Sequence, residues 1–302
     1  MPVPKKPFAL VLTILLYVPA ILSAGQDEIK NFRVAYVPNV IAGVSPHDTE
    51  LAFNILLEKI MNQKLPGYGT KAISYGDMSL AIKDFTLGKI DLLAMTSLHY
   101  LEAHKNVQME PAIVSVSGGV SENSYLLIVQ KANDFQSLDQ LRGKKLIIEK
   151  GIAGDIATLW MDTLLLEQGL PESSMFFSSV KKVNKVSQAL LPVFFGQMDL
   201  CIIRKCSFET MTDLNPQLGR ELLCKRESPG YLFTIGVLNP RLGEKYRKVL
   251  SDMAVTIGDI PEGKQVLLMF QMDRFDIFKP EYLKNIENLY QRHRMLKAKY
   301  LK

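Results

Sequence analysis

Arg204 ends the apolar run Leu200-Cys201-Ile202-Ile203, and a guanidinium at the end of a buried strand needs a negative group beside it. Two arrangements meet that need: a bidentate grip on a ligand carboxylate or phosphate, or an internal salt bridge to a residue such as Asp155 or Glu209. Gly151-Ile152-Ala153-Gly154 is a glycine-bearing turn in front of an apolar helical stretch, so its backbone N–H groups and the helix N-terminus suit an anion. Polar side chains recur at similar places: Asn39, Ser45, His47, Tyr75, Asp77, Thr96, Ser97 and His99 in the first half, Asn184 and Ser207 in the second. Each follows an expected strand or opens an expected helix, where ligands of open α/β sheets sit. The chemistry implied is non-covalent capture of a small anionic or polar solute. Structural roles compete at several positions. Ser45 and Asp77 serve as helix caps, Thr96 and Ser97 divide between cap and contact, and Tyr75 divides between core and cleft.

Other chemistries lack their residues. His47, His99, His104 and His293 show no metal-ligand spacing, and although His47 and His99 can meet at a cleft, no metal site is expected. There is no Ser–His–acid order and no nucleophile elbow, so neither catalysis nor a cofactor is expected. The three cysteines match no zinc motif. Cys201 reads as a small buried hydrophobe, and Cys206 with Cys224 is the candidate disulfide.

The elements that must position these groups alternate short β-branched or aromatic runs with amphipathic helices, the pattern of α/β lobes with mostly parallel sheets. Strands are predicted at Phe32–Val37, Ala72–Tyr75, Ile90–Met95, Leu146–Glu149, Met175–Val180 and Met198–Ile203. Helices are predicted after Ser45 or Asp48 with an apolar face at Leu51, Ile55, Leu56 and Ile60, from Asp77 to Phe85, from the 151–154 turn to Gly169, and over Val186–Phe195. One phrase occurs twice: Leu87-Gly88-Lys89-Ile90-Asp91-Leu92 and Phe195-Gly196-Gln197-Met198-Asp199-Leu200, each between a helix and a strand. Two sheets of one design make a two-lobed protein with a cleft. Crossings are predicted at Tyr125–Lys131 and Arg226–Tyr231. Residues 25–131 then form the first part of lobe one, 132–225 an inserted lobe two, and 226–302 the return, with C-terminal helices on lobe one.

These residues carry a family resemblance. Asp77–Met95 resembles the helix–Gly–Lys–x–Asp–strand unit of bacterial phosphate/phosphonate-type solute-binding proteins that serve ABC importers. Tyr125-Leu126-Leu127-Ile128-Val129-Gln130-Lys131, followed by Ser137-Leu138-Asp139-Gln140-Leu141-Arg142-Gly143-Lys144, resembles their entry to lobe two. Pro261-Glu262-Gly263-Lys264 with Phe275 resembles their C-terminal helices. The resemblance implies a type-2 periplasmic-binding fold, a small ligand between the lobes, hinge closure and an importer membrane subunit as partner. The family's turn after the first strand of lobe two is rich in Ser and Thr. Here it is Gly151-Ile152-Ala153-Gly154-Asp155, which keeps the backbone donors without the hydroxyls. A sensory binding protein without an importer uses the same cleft, and an enzyme on this fold is the third class.

Composition agrees with an exported globular protein. Of 302 residues 47% are hydrophobic and 22% charged, with 36 Lys and Arg against 31 Asp and Glu. That charge is too small and too evenly spread for nucleic acid, and a monomer is expected. The run Arg292, Arg294, Lys297, Lys299, Lys302 reads as a solvated helix end. Residues 1–24 read as a signal peptide: Lys5 and Lys6, an apolar stretch from Phe8 to Leu22, then Ser23-Ala24-Gly25 for cleavage. The expected location is the periplasm. The alternative is membrane anchorage through an uncleaved segment, because Leu22 fits the small-residue rule poorly.

Overall fold

The computed structural model describes residues 31–37, 46–150 and 155–300. The proposed signal peptide, Asn39, Ser45 and the turn Gly151, Ile152, Ala153 and Gly154 lie outside the described residues. The first strands and helices are β1 (Asn31–Tyr36), α1 (Pro46–Lys64), β2 (Gly69–Ser74), α2 (Met78–Thr86), β3 (Leu92–Thr96), α3 (Ser97–Ala103), β4 (Glu110–Val116) and β5 (Glu122–Asn123). There follow β6 (Tyr125–Gln130), β7 (Lys145–Glu149), α4 (Ile156–Glu167), α5 (Ser173–Phe176), β8 (Ser179–Val183), α6 (Val186–Phe194), β9 (Leu200–Arg204), α7 (Lys205–Leu214), α8 (Pro216–Glu221) and β10 (Leu222–Glu227). The chain returns through β11 (Tyr231–Leu232), β12 (Thr234–Leu238), α9 (Glu244–Val255), α10 (Pro261–Met269), β13 (Arg274–Ile277) and α11 (Lys284–Tyr300).

Two sheets result, ordered β13-β4-β12-β3-β1-β2 and β10-β6-β9-β7-β8, with the short pair β11-β5 between them in sequence. Each has a parallel centre: β2-β1-β3 in one and β8-β7-β9 in the other. Each parallel centre is flanked by an antiparallel strand next to a crossing, β12 and β6 respectively. The repeated phrase explains the likeness. Gly88 and Gly196 take φ of 72° and 70°, which lets helices α2 and α6 end in a left-handed turn. The residue after each glycine donates back into its helix, Lys89 N–H to Asp84 C=O at 2.9 Å and Gln197 N–H to Pro192 C=O at 2.8 Å. Two residues on, the aspartate starts a strand and takes an amide from the neighbouring strand. Asp91 Oδ2 accepts from Arg33 N at 2.9 Å, and Asp199 Oδ2 accepts from Lys145 N at 2.7 Å. Arg33 also lies fork-on to Asp91, with Nε–Oδ2 and Nη2–Oδ1 both at 2.8 Å.

Three expectations change. Tyr125–Gln130 is a strand of the second sheet, not a crossing, and of the expected return crossing Arg226–Tyr231 the first two residues belong to strand β10. Five of the six β6 side chains are buried, which a solvent-spanning linker could not support. The chain passes between sheets around Glu122–Ser124 and Ser228–Phe233, so the second sheet begins at Tyr125. The strand expected at Met175–Val180 is the short helix α5 followed by β8, because Asp162 accepts the Ser173 amide at 2.7 Å and starts a helical turn. The C-terminal helices also divide. Helix α10 packs on α1 and α9 on β4, both in the first lobe, whereas α11 lies along α4 of the second lobe and also touches α3 of the first.

The cores follow the same division. One apolar cluster joins α1, α9 and α10 to the first sheet (Phe32, Phe53, Ile60, Leu250, Leu267), and another joins α6 and α8 to the second (Ile147, Leu190, Val193, Cys201, Leu218). The largest is continuous across the crossing. It runs from Phe85, Leu93 and Tyr100 through Tyr125, Tyr231 and Phe233 to Leu146, Trp160 and Met161, and takes in Ile286 and Leu289 of α11. Helix α11 adds ion pairs from Arg292 to Glu167 and from Lys297 to Glu172 (2.8 Å). Buried His293 sets Nδ1 3.4 Å from Thr163 Oγ1 and Nε2 3.4 Å from Glu172. Burial is the main cause of a lowered His293 pKa, Lys297 lowers it further, and Asp162 and Glu172 oppose.

Gly196→Ala should lower stability by about 1–2 kcal/mol, because an L side chain is strained at that backbone angle. Gly88→Ala should cost more, since its Cβ would also meet the Arg241 guanidinium. Chemical denaturation of the two variants checks both. A second expectation concerns pH. A histidine with a depressed folded-state pKa stays neutral in the fold, so its contribution is whole above the unfolded value near 6.5 and is lost as pH falls below it. The melting temperature should therefore drop on acidification through this range, and His293→Gln should flatten that slope.

Candidate functional site

The ends of β3 and β9 meet at the crossing. Ser97 N donates to Phe233 C=O at 3.0 Å and Ser97 Oγ to Leu232 C=O, while Thr234 pairs with Thr96. On the other side Lys205 N donates to Ser124 C=O at 2.9 Å and Tyr125 pairs with Arg204. Tyr125 and Ser228 lock the two passes together. Tyr125 N donates to Ser228 Oγ at 2.8 Å and Ser228 N to Tyr125 C=O at 2.9 Å. Both sheets thus turn the carboxyl ends of their central strands toward one line, the place an open α/β sheet offers a ligand.

In the second lobe that rim is built on Glu149, the last residue of β7 and only 2% exposed. Its carboxylate accepts four hydrogen bonds: Arg204 N (3.0 Å), Arg204 Nε (3.3 Å), Arg204 Nη2 (2.9 Å) and Ser207 Oγ (3.1 Å). The partner of Arg204 is therefore neither Asp155 nor Glu209; Asp155 pairs with Lys182 instead. Burial works against the guanidinium, but the charge and hydrogen bonds of Glu149 outweigh it and raise the Arg204 pKa. The Arg204 side chain keeps 26% exposure, and among the described residues no hydrogen bond engages its Nη1. Tyr125, fully buried beside this pair, has no partner for its hydroxyl among the described residues, and burial raises its pKa strongly. Asn184 is exposed just after β8.

In the first lobe, Asp77 caps α2, taking the Ser79 amide at 2.6 Å and the Ser79 hydroxyl at 2.7 Å. These bonds, and to a smaller extent nearby His99, hold its carboxyl below the ordinary range. Thr96 caps α3, its Oγ1 accepting from His99 N at 3.2 Å and lying 2.8 Å from His99 Nδ1. Tyr75 donates its hydroxyl to Asp84 at 3.0 Å, and burial first and this bond second push its pKa up to about 12. Ser97 is wholly buried and serves the crossing, and His47 is exposed on the first turn of α1. Thr96, Asp77 and His99 thus form one group, Arg204 and Ser207 another, and Tyr75 turns toward α2. All three cysteines are free thiols. Cys224 donates to Arg226 C=O at 3.3 Å from exposed strand β10, so the Cys206–Cys224 bridge is not formed, and Cys201 is fully buried as expected.

Sequence reasoning missed Glu149 and Glu50. Glu50, on α1, accepts the Ser74 amide at 2.9 Å and the Ser74 hydroxyl at the end of β2. Glu149 did leave a signal, since Leu146-Ile147-Ile148-Glu149 ends an apolar run in a charge as Leu200–Arg204 does, with the opposite sign.

Solved structures share this architecture. A Xanthomonas citri protein solved with chloride and with ATP has a TM-score of 0.66 at 12% identity; in the chloride form 89% of this chain and 99% of that one are covered. A binding-protein component of an ABC phosphonate transporter from Pseudomonas aeruginosa gives 0.61 at 18%, covering 89% and 88%. A Prochlorococcus marinus protein in complex with methylphosphonate gives 0.60 at 19%, covering 87% and 98%. No curated protein matches the sequence. The fold is that of type-2 periplasmic binding proteins. Residues 40–283 match the model of the periplasmic substrate-binding proteins of ABC phosphonate transporters, and the chain belongs to that family.

Proposed function

We propose that this is an exported, monomeric solute-binding protein that takes a small oxyanion between its lobes and presents it to the membrane subunit of an ABC importer. The observation that carries the reading is Arg204: a guanidinium fixed at the rim facing the crossing, with Nη1 unengaged among the described residues. Gly151 to Gly154 lie in sequence between β7 and α4, and their amides would add backbone donors. Asn39, Ser45, His47, Asp77, Thr96 and His99 would meet the solute from the first lobe. A ligand that touches both rims stabilises the closed arrangement more than the open one, which is what drives hinge closure. Methylphosphonate in the Prochlorococcus relative and ATP in the Xanthomonas relative both carry tetrahedral phosphorus oxyanions. Residues 1–24 would direct export, and among the described residues no helix is long and apolar enough to cross a membrane.

Two measurements bear on this. Intact mass of the secreted protein should match a chain beginning at or near Gly25; retention of residues 1–24 in a membrane fraction would assign them to an anchor. Calorimetry with methylphosphonate should show Arg204→Ala weakening binding by tens-fold or more, since losing a charge-assisted contact costs ~2–5 kcal/mol. Unchanged affinity with a lower melting temperature would confine Arg204 to bracing the second lobe.

A further inference from the structure

Glu149 touches no cleft surface, yet it governs the only described guanidinium at the second-lobe rim. Its four acceptor contacts fix Arg204 by backbone and side chain together, and Ser207 holds the same Oε1 from the first turn of α7. The fixed guanidinium therefore comes with a buried negative charge 2.9 Å away, and the pair carries no net charge while its positive end faces outward. The surroundings do not reverse this balance. Tyr125 on β6 is held neutral by burial, the Cys201 thiol on β9 is pushed up by burial, and Asp155 before α4 is matched by Lys182. Cys206, beside Arg204 on α7, is a free thiol.

We propose that Glu149 is the specificity-determining residue for ligand charge: it orients Arg204 for a hydrogen-bonding oxyanion while cancelling its excess charge, so that the cleft favours singly over doubly charged anionic groups. This inference rests on the reading of the cleft as an oxyanion site. A singly charged sulfonate or monoprotonated phosphoryl group takes the Nη1 hydrogen bonds at little electrostatic cost. A second negative charge on the ligand gains less from the pair than its larger loss of hydration costs, because Glu149 opposes most of the Arg204 attraction. Removing the carboxylate charge while keeping an acceptor leaves Arg204 as a net cation and reverses the preference.

The test uses two probes, methanesulfonate, with one charge throughout, and methyl phosphate, which gains its second charge near pH ~6. Calorimetry at pH ~5 and pH ~8 brackets that step and lets methanesulfonate report any titration of the protein itself. In the wild-type protein, methyl phosphate should weaken relative to methanesulfonate on going to the higher pH. In Glu149→Gln it should strengthen relative to methanesulfonate, the ratio between proteins differing about ten-fold. The same pH response in both proteins overturns the role of Glu149 and leaves the oxyanion reading intact. Failure of both probes to bind either protein overturns the oxyanion reading and the inference with it. If Glu149→Gln does not fold, the wild-type comparison still decides: methyl phosphate gaining on methanesulfonate with its second charge overturns the proposal.

Discussion

A parallel sheet buried on both faces leaves backbone N–H groups at its ends and edges that no strand reaches, and each must find an acceptor. In this protein side chains supply them. Asp91 and Asp199 take the amides of Arg33 and Lys145 where the central strands begin, and Glu149 takes that of Arg204 where β9 ends. Along edge strand β2, Asn54 and Glu50 reach down one face of α1 to the amides of Ala72 and Ser74. Four residues apart, they lie one turn apart on the helix and so meet alternate amides of the strand. The same carboxylates that close the sheet also attract the cations beside them. Arg33 and Arg204 are therefore where they are for backbone reasons first, and the rim inherits its charge pattern from that constraint.

The crossing is the second constraint. The reciprocal bonds of Tyr125 and Ser228 hold the two passes of chain side by side, and the core that surrounds them is shared by both lobes. Helix α11 adds a third tie: Asn285 Nδ2 donates to Gly230 C=O at 2.9 Å on the return pass, while residues further along pair with Glu167 and Glu172 of the second lobe. A helix fixed to the crossing at one end and to α4 along its length, with α3 also against it, ties the second lobe to the crossing. The hinge closure proposed above would then be taken up near residues 278–285 and at the short β5–β11 pair.

How much of this could be read from residues alone depends on whether the cause was local. The Gly-x-x-Asp phrase was legible because a left-handed helix end and a strand-starting acceptor are both properties of a few adjacent residues. Helix caps at Asp77 and Thr96 were legible for the same reason. The crossing was misplaced because Tyr125–Gln130 is apolar at nearly every position, and such a run reads alike as an extended linker or a fully buried strand. The cation at Arg204 was singled out, but its partner lies 55 residues away on β7, and no local pattern joins two strand ends that only the sheet order brings together. Ser97 divides between cap and contact because it follows β3; its burial comes from the return pass 135 residues later.

The two rims share one property that no single residue displays. Several acids near them are already engaged within their own lobe: Asp77 by Ser79, Asp84 by Tyr75 and Lys89, Glu50 by Ser74, Glu149 by Arg204 and Ser207. A solute that drew Arg204 away from Glu149 would strand a carboxylate that is 2% exposed, at a cost of ~3–5 kcal/mol, which exceeds what one new surface contact returns. On the proposed reading, capture would have to add hydrogen bonds to groups unengaged among the described residues, such as Arg204 Nη1, and not exchange existing ones. Each rim would then keep its internal geometry in the proposed closure, and the free energy of the added contacts would go into the hinge.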